Sequence, residues 1–231
     1  MQSLGQDYRA LIIGAHGTIG AAIANQLRAD PNCAHVATVS RATHPHFELE
    51  SEAGIEEAAK QMANDGPFAL MVDATGALTI DGHGPEKHMG ALDAKRLART
   101  FEVNAIGPAL IIKHFSPLLA KERAIFAKLS ARVGSISDNH KGGWYGYRAA
   151  KAALNMLLQT AAIELQRKRP ETIVVALQPG TVASPLSAPF SRGHDTVTPE
   201  QSAAGLLDAM DGLTVDPGAQ FIDYRGEPIP W

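Results

Sequence analysis

Ala10-Leu11-Ile12-Ile13-Gly14-Ala15-His16-Gly17-Thr18-Ile19-Gly20 passes from a short apolar run, through a glycine-rich turn, into the alanine-rich stretch Ala21–Leu27. Four consecutive apolar residues, then G-x-x-G-x-x-G, then good helix formers predict a strand, a tight turn and a helix. Glycines in such a turn let the backbone approach a pyrophosphate and let helix and sheet pack closely. The amides that open the helix then receive the phosphate charge. Gly14, His16, Gly17, Thr18, Ile19 and Gly20 are therefore candidate dinucleotide-binding residues.

Outward from this turn the pattern repeats. Strands are expected at Ala10–Ile13, Val36–Val39, Phe68–Val72, Ala124–Leu129, Ile173–Leu177 and Gln220–Ile222. Helices are expected at Ile19–Arg28, Ile55–Met62, Ala105–Leu119, from Tyr147 onward, and at Gln201–Met210 with Thr198 as its cap before Pro199. Fully apolar strands alternating with helices imply a parallel sheet covered on both faces. The fold class is α/β, a Rossmann-type doubly wound parallel sheet, and residues 1–231 read as one domain. Helices Ala105–Leu119 and Tyr147–Gln166 carry more apolar surface than one sheet face can cover, which predicts self-association.

Composition narrows the functional classes. The chain has 231 residues, 45% of them hydrophobic, and a net charge of -3. That charge gives no electrostatic argument for nucleic acid or an acidic membrane. Cys33 is the single cysteine, so neither an internal disulfide nor a cysteine-rich metal site is expected. Met1–Tyr8 is polar and lacks a signal-peptide core, and no apolar stretch approaches a membrane span, so a cytoplasmic protein is expected. Nine histidines occur without an H-E-x-x-H cluster, and no metal site is expected.

The end of the second strand selects the dinucleotide. An acidic residue there bonds a ribose 2'-hydroxyl, whereas an arginine accommodates a 2'-phosphate. The chain has Ser40-Arg41 and no Asp or Glu from Ala34 to Phe47. A guanidinium holds phosphate in a bidentate way, and His16 is placed to add a second contact. The expected cofactor is NADP(H) rather than NAD(H).

Farther along stands Gly142-Gly143-Trp144-Tyr145-Gly146-Tyr147-Arg148-Ala149-Ala150-Lys151. On a helix, residues four apart share a face, which pairs Tyr147 with Lys151 and leaves Tyr145 pointing elsewhere. A phenol of ordinary pKa near ~10 is a poor acid or base at neutral pH. A cation one turn away favours the phenolate and pulls that value down.

Taken in chain order, the glycine turn, Asp73-Ala74-Thr75-Gly76, Asn104 in Phe-Glu-Val-Asn-Ala-Ile-Gly-Pro, Tyr147/Lys151 and Pro179-Gly180 resemble the short-chain dehydrogenase/reductase family. Ser-Ala-Arg-Val-Gly-Ser-Ile and the Tyr147 segment are similar to its C-factor and sniffer-type carbonyl reductase branch. The resemblance implies an oxidoreductase acting on a small carbonyl or alcohol substrate. In it Tyr147 exchanges a proton with the substrate oxygen, Lys151 tunes the tyrosine and bonds the nicotinamide ribose, and Asn104 holds a water linked to Lys151. It extends the cofactor contacts to Ala74, Thr75, Gly76, Pro179, Gly180, Val182 and Ser184, and makes a substrate lid of about residues 185–198. It also implies a homodimer or homotetramer built on a four-helix contact. A dinucleotide-binding signalling or sensing module without turnover is the alternative that the C-factor likeness brings.

The chain departs from the family pattern at several points. The first two glycines are separated by two residues rather than three. Asp73 and Thr75 replace parts of an Asn-Asn-Ala-Gly motif. The acidic residue that contacts adenine has no clear counterpart, with Glu48 and Glu50 as candidates. Where relatives have a second, active serine this chain has Ala131, so the assisting serine is Ser130 or Ser135, with Ser135 favoured. Trp144 and Phe190 fit a substrate pocket and a packed core equally.

Overall fold

Strand residues of this chain divide by parity, because successive side chains in a strand point to opposite faces. Leu11 and Ile13, Met71, Phe126, Val174 and Ala176 enter one apolar layer, while Ala10 and Ile12, Leu70 and Val72, Ile125, Ile173 and Val175 enter the other. The computed structural model describes residues 1–184 and 195–231, so Phe190 and most of the expected lid lie outside the described residues.

The strands are β1 (Tyr8–Ile13), β2 (Cys33–Val39), β3 (Leu70–Asp73), β4 (Ala124–Leu129), β5 (Thr172–Gln178) and β6 (Ala219–Asp223). They form a six-stranded, all-parallel sheet in the order β2-β1-β3-β4-β5-β6. One face carries α1 (Thr18–Ala29) and, late in the chain, α6 (Pro199–Asp211), through Ile23, Leu27, Leu206 and Met210. The other carries α2 (Glu52–Met62), α4 (Gly107–Phe115) and α5 (Tyr145–Lys168), through Ile55, Ile111, Phe115, Leu154 and Leu158. The expected doubly wound α/β sheet is the observed one, and β4 has the bounds read from the sequence.

Three features differ from the expectation. The segment before α4 is itself helical: α3 (Ala94–Phe101) starts at Asp93, whose Oδ1 accepts the Arg96 amide at 3.0 Å. Helix α3 buries none of its residues fully, although Ala94, Leu97, Ala98 and Phe101 recur at helical spacing. Between α3 and α4 lies a wide π-type turn, Glu102–Ile106, centred on Asn104. Finally, the half of the sheet before the crossover has two strands where the common order 3-2-1-4-5-6 has three. Among the described residues no strand stands outside β2, where the third strand of that order would lie. Among the described residues no helix is long and apolar enough to cross a membrane.

Strand order reverses between β1 and β3, and in open parallel sheets ligands bind in the crevice at such a switch point, beyond the carboxyl ends of the strands. Gly14, Asp73-Ala74-Thr75-Gly76, Ser130 and Pro179-Gly180 all follow strand ends on that side.

Candidate active site

The glycine turn forms one wall of a cleft of about 610 Å³. Gly14 has φ 85°, its amide bonds the Val39 carbonyl at 2.8 Å, and a Cβ on Gly20 would collide with the Gly14 carbonyl. Only glycine permits this approach of α1 to β1. No side chain caps α1, so its first amides face the cleft unpaired by capping. Opposite them, at the end of β2, Ser40 is tied into its own turn by Thr43, whose Oγ1 accepts the Ser40 amide at 3.0 Å. Arg41 and His16 line the same cleft and are exposed. Glu48 and Glu50 line it too, but Glu50 pairs with Arg99 at 2.9 Å, and Arg99 also binds Asp81 and Glu102.

Thr75 and Gly76 form the floor. The Asp73 carboxylate accepts the Thr75 amide at 2.9 Å and the Thr75 hydroxyl at 2.6 Å. Gly76 has φ 128°, and a Cβ there would lie 3.0 Å from Asn104 Oδ1 and 3.6 Å from Lys151 Nζ. Asn104 is fully buried and pinned to the next residue from both ends of its amide: Nδ2 donates to the Ala77 carbonyl at 2.9 Å and Oδ1 accepts the Ala77 amide at 3.1 Å. The wide turn around Asn104 supplies this placement, and such turns recur at functional sites.

Helix α5 brings Tyr147 and Lys151 together, as the four-residue spacing requires, with Lys151 Nζ 5.6 Å from the Tyr147 ring centre. Trp144 packs edge-on against the same ring at 6.1 Å. Tyr145 lines neither the cofactor-sized cleft nor the two clefts that meet at Tyr147. A residue that the sequence did not mark fixes the start of α5: the Glu86 carboxylate accepts the Gly146 amide at 2.9 Å, a favourable place for an anion at a helix N-terminus. No local sequence signal points to it.

The electrostatics differ from the sequence expectation. Lys151 is 3% exposed and donates to the Leu129 carbonyl at 3.1 Å. Burial pushes its pKa down to about 7, nearby Lys128 lowers it further, and Asp73 opposes the shift. Tyr147 is pushed up to about 12 by burial. Desolvation of the phenolate outweighs the attraction of a lysine that is itself poorly charged, so the phenol of this site holds its proton through neutral pH.

A cleft of about 460 Å³ opens beside Tyr147, walled by Leu78, Ala131, Trp144, Gly180 and Val182, with Ser184 at its edge. Pro179 is anchored by the Ser202 hydroxyl at 2.7 Å. The two candidate serines are engaged elsewhere: Ser130 donates to Asn155 Oδ1 at 2.7 Å, and Ser135 Oγ accepts the Asp138 amide at 3.1 Å. Ser130 lines the Tyr147 cleft, whereas Ser135 does not. Among the described residues no group of three His, Cys, Asp or Glu is placed to hold a metal.

The family model of short chain dehydrogenases matches residues 8–195. This chain belongs to the short-chain dehydrogenase family. A Rhodococcus sp. (strain AD45) member, named 1-hydroxy-2-glutathionyl-2-methyl-3-butene dehydrogenase, is 31% identical over 96% of this chain and 98% of its own length. The C-signal protein of Myxococcus xanthus is 36% identical over 62% of this chain and 83% of its own length, in keeping with the C-factor likeness. The NADPH-bound carbonyl reductase from chicken fatty liver superposes with a TM-score of 0.83 at 21% identity, covering 98% of this chain and 95% of that one. Short-chain dehydrogenases are oxidoreductases; in this member Gly14, Gly17 and Gly76 line one cleft, Tyr147 lines two others, and Asn104 and Lys151 are buried against Gly76.

Proposed function

We propose that this short-chain dehydrogenase transfers hydride between NADP(H) and a carbonyl/alcohol substrate, with Tyr147 as the acid/base. The observation that carries this reading is Tyr147, with Lys151 buried beside it, lining a cleft that also reaches Ile19 of the glycine turn. NADP(H) fits the residues present: the uncapped opening of α1 suits the pyrophosphate, and exposed Arg41 and His16 suit a 2'-phosphate where a carboxylate is absent. Two similar proteins support the reading as well, one named as a dehydrogenase of a 1-hydroxy compound and one an NADPH-bound carbonyl reductase.

When bound, the nicotinamide supplies the hydride. The chain's own residues supply the proton and the placement. In reduction, negative charge grows on the substrate oxygen as its carbon is attacked, and the Tyr147 hydroxyl donates its proton there; in oxidation the same oxygen returns it. A phenol held up near pH 12 is protonated at neutral pH, which suits the donor role. Lys151, pinned by Leu129, and Asn104, pinned by Ala77, keep the surrounding polar groups in place. Gly180, Val182 and Ser184 line the adjoining cleft beside which a substrate carbonyl would lie. Helix α5 leaves Met156 66% and Ile163 43% exposed, which supports a homodimer or homotetramer joined across it.

The second reading, a dinucleotide-binding signalling or sensing module, has the C-signal likeness and the Ala131 at the usual serine position in its favour. A panel of carbonyl compounds, read by loss of NADPH absorbance, separates the two. Turnover of any panel member supports the oxidoreductase, and tight NADPH binding without turnover supports the module.

A further inference from the structure

Strand β4 reads Ala-Ile-Phe-Ala-Lys-Leu and is buried throughout, so Lys128 is a charge in an otherwise apolar strand. Its side chain is fully buried, on the same parity as Ala124 and Phe126, and thus on the sheet face that α5 covers. Its neighbour in the parallel register is Asp73, also fully buried. Lys128 Nζ is satisfied by Asp73 Oδ1 at 3.0 Å, the Thr75 carbonyl at 2.7 Å and Thr75 Oγ1 at 3.1 Å. A leucine would bury more cheaply here, because an ion pair inside a protein rarely recovers its desolvation cost.

The surroundings of the pair give it a task. Residues that follow the pair meet Lys151: Leu129, next to Lys128, accepts its ammonium at 3.1 Å, and a Cβ on Gly76, three residues after Asp73, would lie 3.6 Å from the same ammonium. Asp73 Oδ1 takes Lys128 and both Thr75 donors, while Asp73 Oδ2 is buried with no hydrogen-bond partner among the described residues. One carboxylate oxygen is thus answered by three donors and the other by none, close to two lysines.

We propose that Lys128, paired with Asp73, is a positioning residue for the active-site lysine: the pair fixes the Thr75–Gly76 floor against Lys151 and sets the net charge under Lys151 and Tyr147. The inference rests on Tyr147 and Lys151 being the acid/base pair. With both partners present the sheet beneath Lys151 is neutral overall. Asp73→Asn leaves an extra cation, which favours loss of the Lys151 proton. Lys128→Met leaves an extra anion, which retains it. The two single variants thus act with opposite sign, a signature that a purely structural role lacks.

Other charges face Tyr147 and stay constant in every variant. Asp81, His83, Glu86 and Asp93 stand on the loop after β3, and Lys95, Arg96 and Arg99 on α3. Arg132, Lys141 and Arg148 stand across the other cleft.

The test is the near-neutral limb of kcat/KM for carbonyl reduction, where Lys151 titrates, together with the pH above which the stability gap between each protein and its Lys151→Met counterpart begins to close. Asp73→Asn should move both to lower pH by about one unit or more, Lys128→Met should move both higher, and the double variant should return toward wild type. Limbs that stay fixed, or that move in the same direction, overturn the proposal. If Lys128→Met does not fold, the near-isosteric Asp73→Asn decides alone, an unmoved limb counting against it. If no carbonyl compound is turned over at all, the oxidoreductase reading fails, while the pH dependence of the stability gap still tests the pair.

Discussion

Replacing Lys151 with methionine removes an ammonium that the fold holds in an unfavourable place. The group is 3% exposed and its pKa falls from 10.5 to about 7. Between those values the unfolded chain binds the proton more tightly than the folded one, so the unfolded state carries more protons and stability rises with pH. The full cost applies below pH 7 and disappears above 10.5. At about 1.4 kcal/mol per unit, the difference amounts to about 4–5 kcal/mol at pH 7. The lost bond to the Leu129 carbonyl returns roughly 1 kcal/mol of that. Lys151→Met should therefore be more stable than wild type at pH 7 by about 3–4 kcal/mol, with the gap closing toward pH 9. Urea unfolding of both proteins at pH 7, 8 and 9 measures it, and because Lys128 is also shifted down, only the difference between the two proteins is diagnostic. A gap that is constant across pH, or that widens as pH rises, would refute the reasoning. The same variant should be slow in catalysis, since its stability gain comes from discarding a functional charge.

Three further outcomes are expected. Arg41→Ala should weaken NADPH binding by about 1.5–3 kcal/mol and leave NADH binding nearly unchanged, as titration of both cofactors would show; equal losses would remove the phosphate role. Sedimentation at micromolar concentration should find a dimer or tetramer, with a monomer counting against an interface over the exposed face of α5. Ser130→Ala should lower stability by about 1–2 kcal/mol, because Asn155 loses a buried partner, while kcat stays within a few-fold; a thousandfold loss of kcat would instead put that hydroxyl in the chemistry.

Elements with local signatures were readable from the sequence. Most strands are built on short apolar runs, the glycine turn follows one of them, and Thr198-Pro199 carries the capping box that starts α6. Tyr147 and Lys151 meet because helical spacing alone decides it. What escaped the sequence depends mostly on long-range contact. Helix α3 spans only eight residues, and its stripe of Ala94, Leu97, Ala98 and Phe101 was overlooked, while Glu86 reaches α5 across the fold from a loop with no periodicity. The Asp73–Lys128 pair was half visible, as a lysine in an apolar strand, but its partner is set by strand register. The shift of Tyr147 was read with the wrong sign because a cation's pull is legible from spacing whereas burial is not. Burial is the larger effect here.

The central claim is that Tyr147, and not Tyr145, gives the proton. Steady-state turnover of a reducible carbonyl compound with NADPH, compared among wild type, Tyr147→Phe and Tyr145→Phe, tests it most directly. Tyr147→Phe keeps the ring and its packing but loses a donor aimed at the developing oxyanion, so kcat should fall about a hundred- to a thousandfold, or ~3–4 kcal/mol, with NADPH affinity retained. Tyr145→Phe should remain within a few-fold of wild type. A Tyr147→Phe protein that turns over like wild type, with or without a dead Tyr145→Phe, would contradict the account.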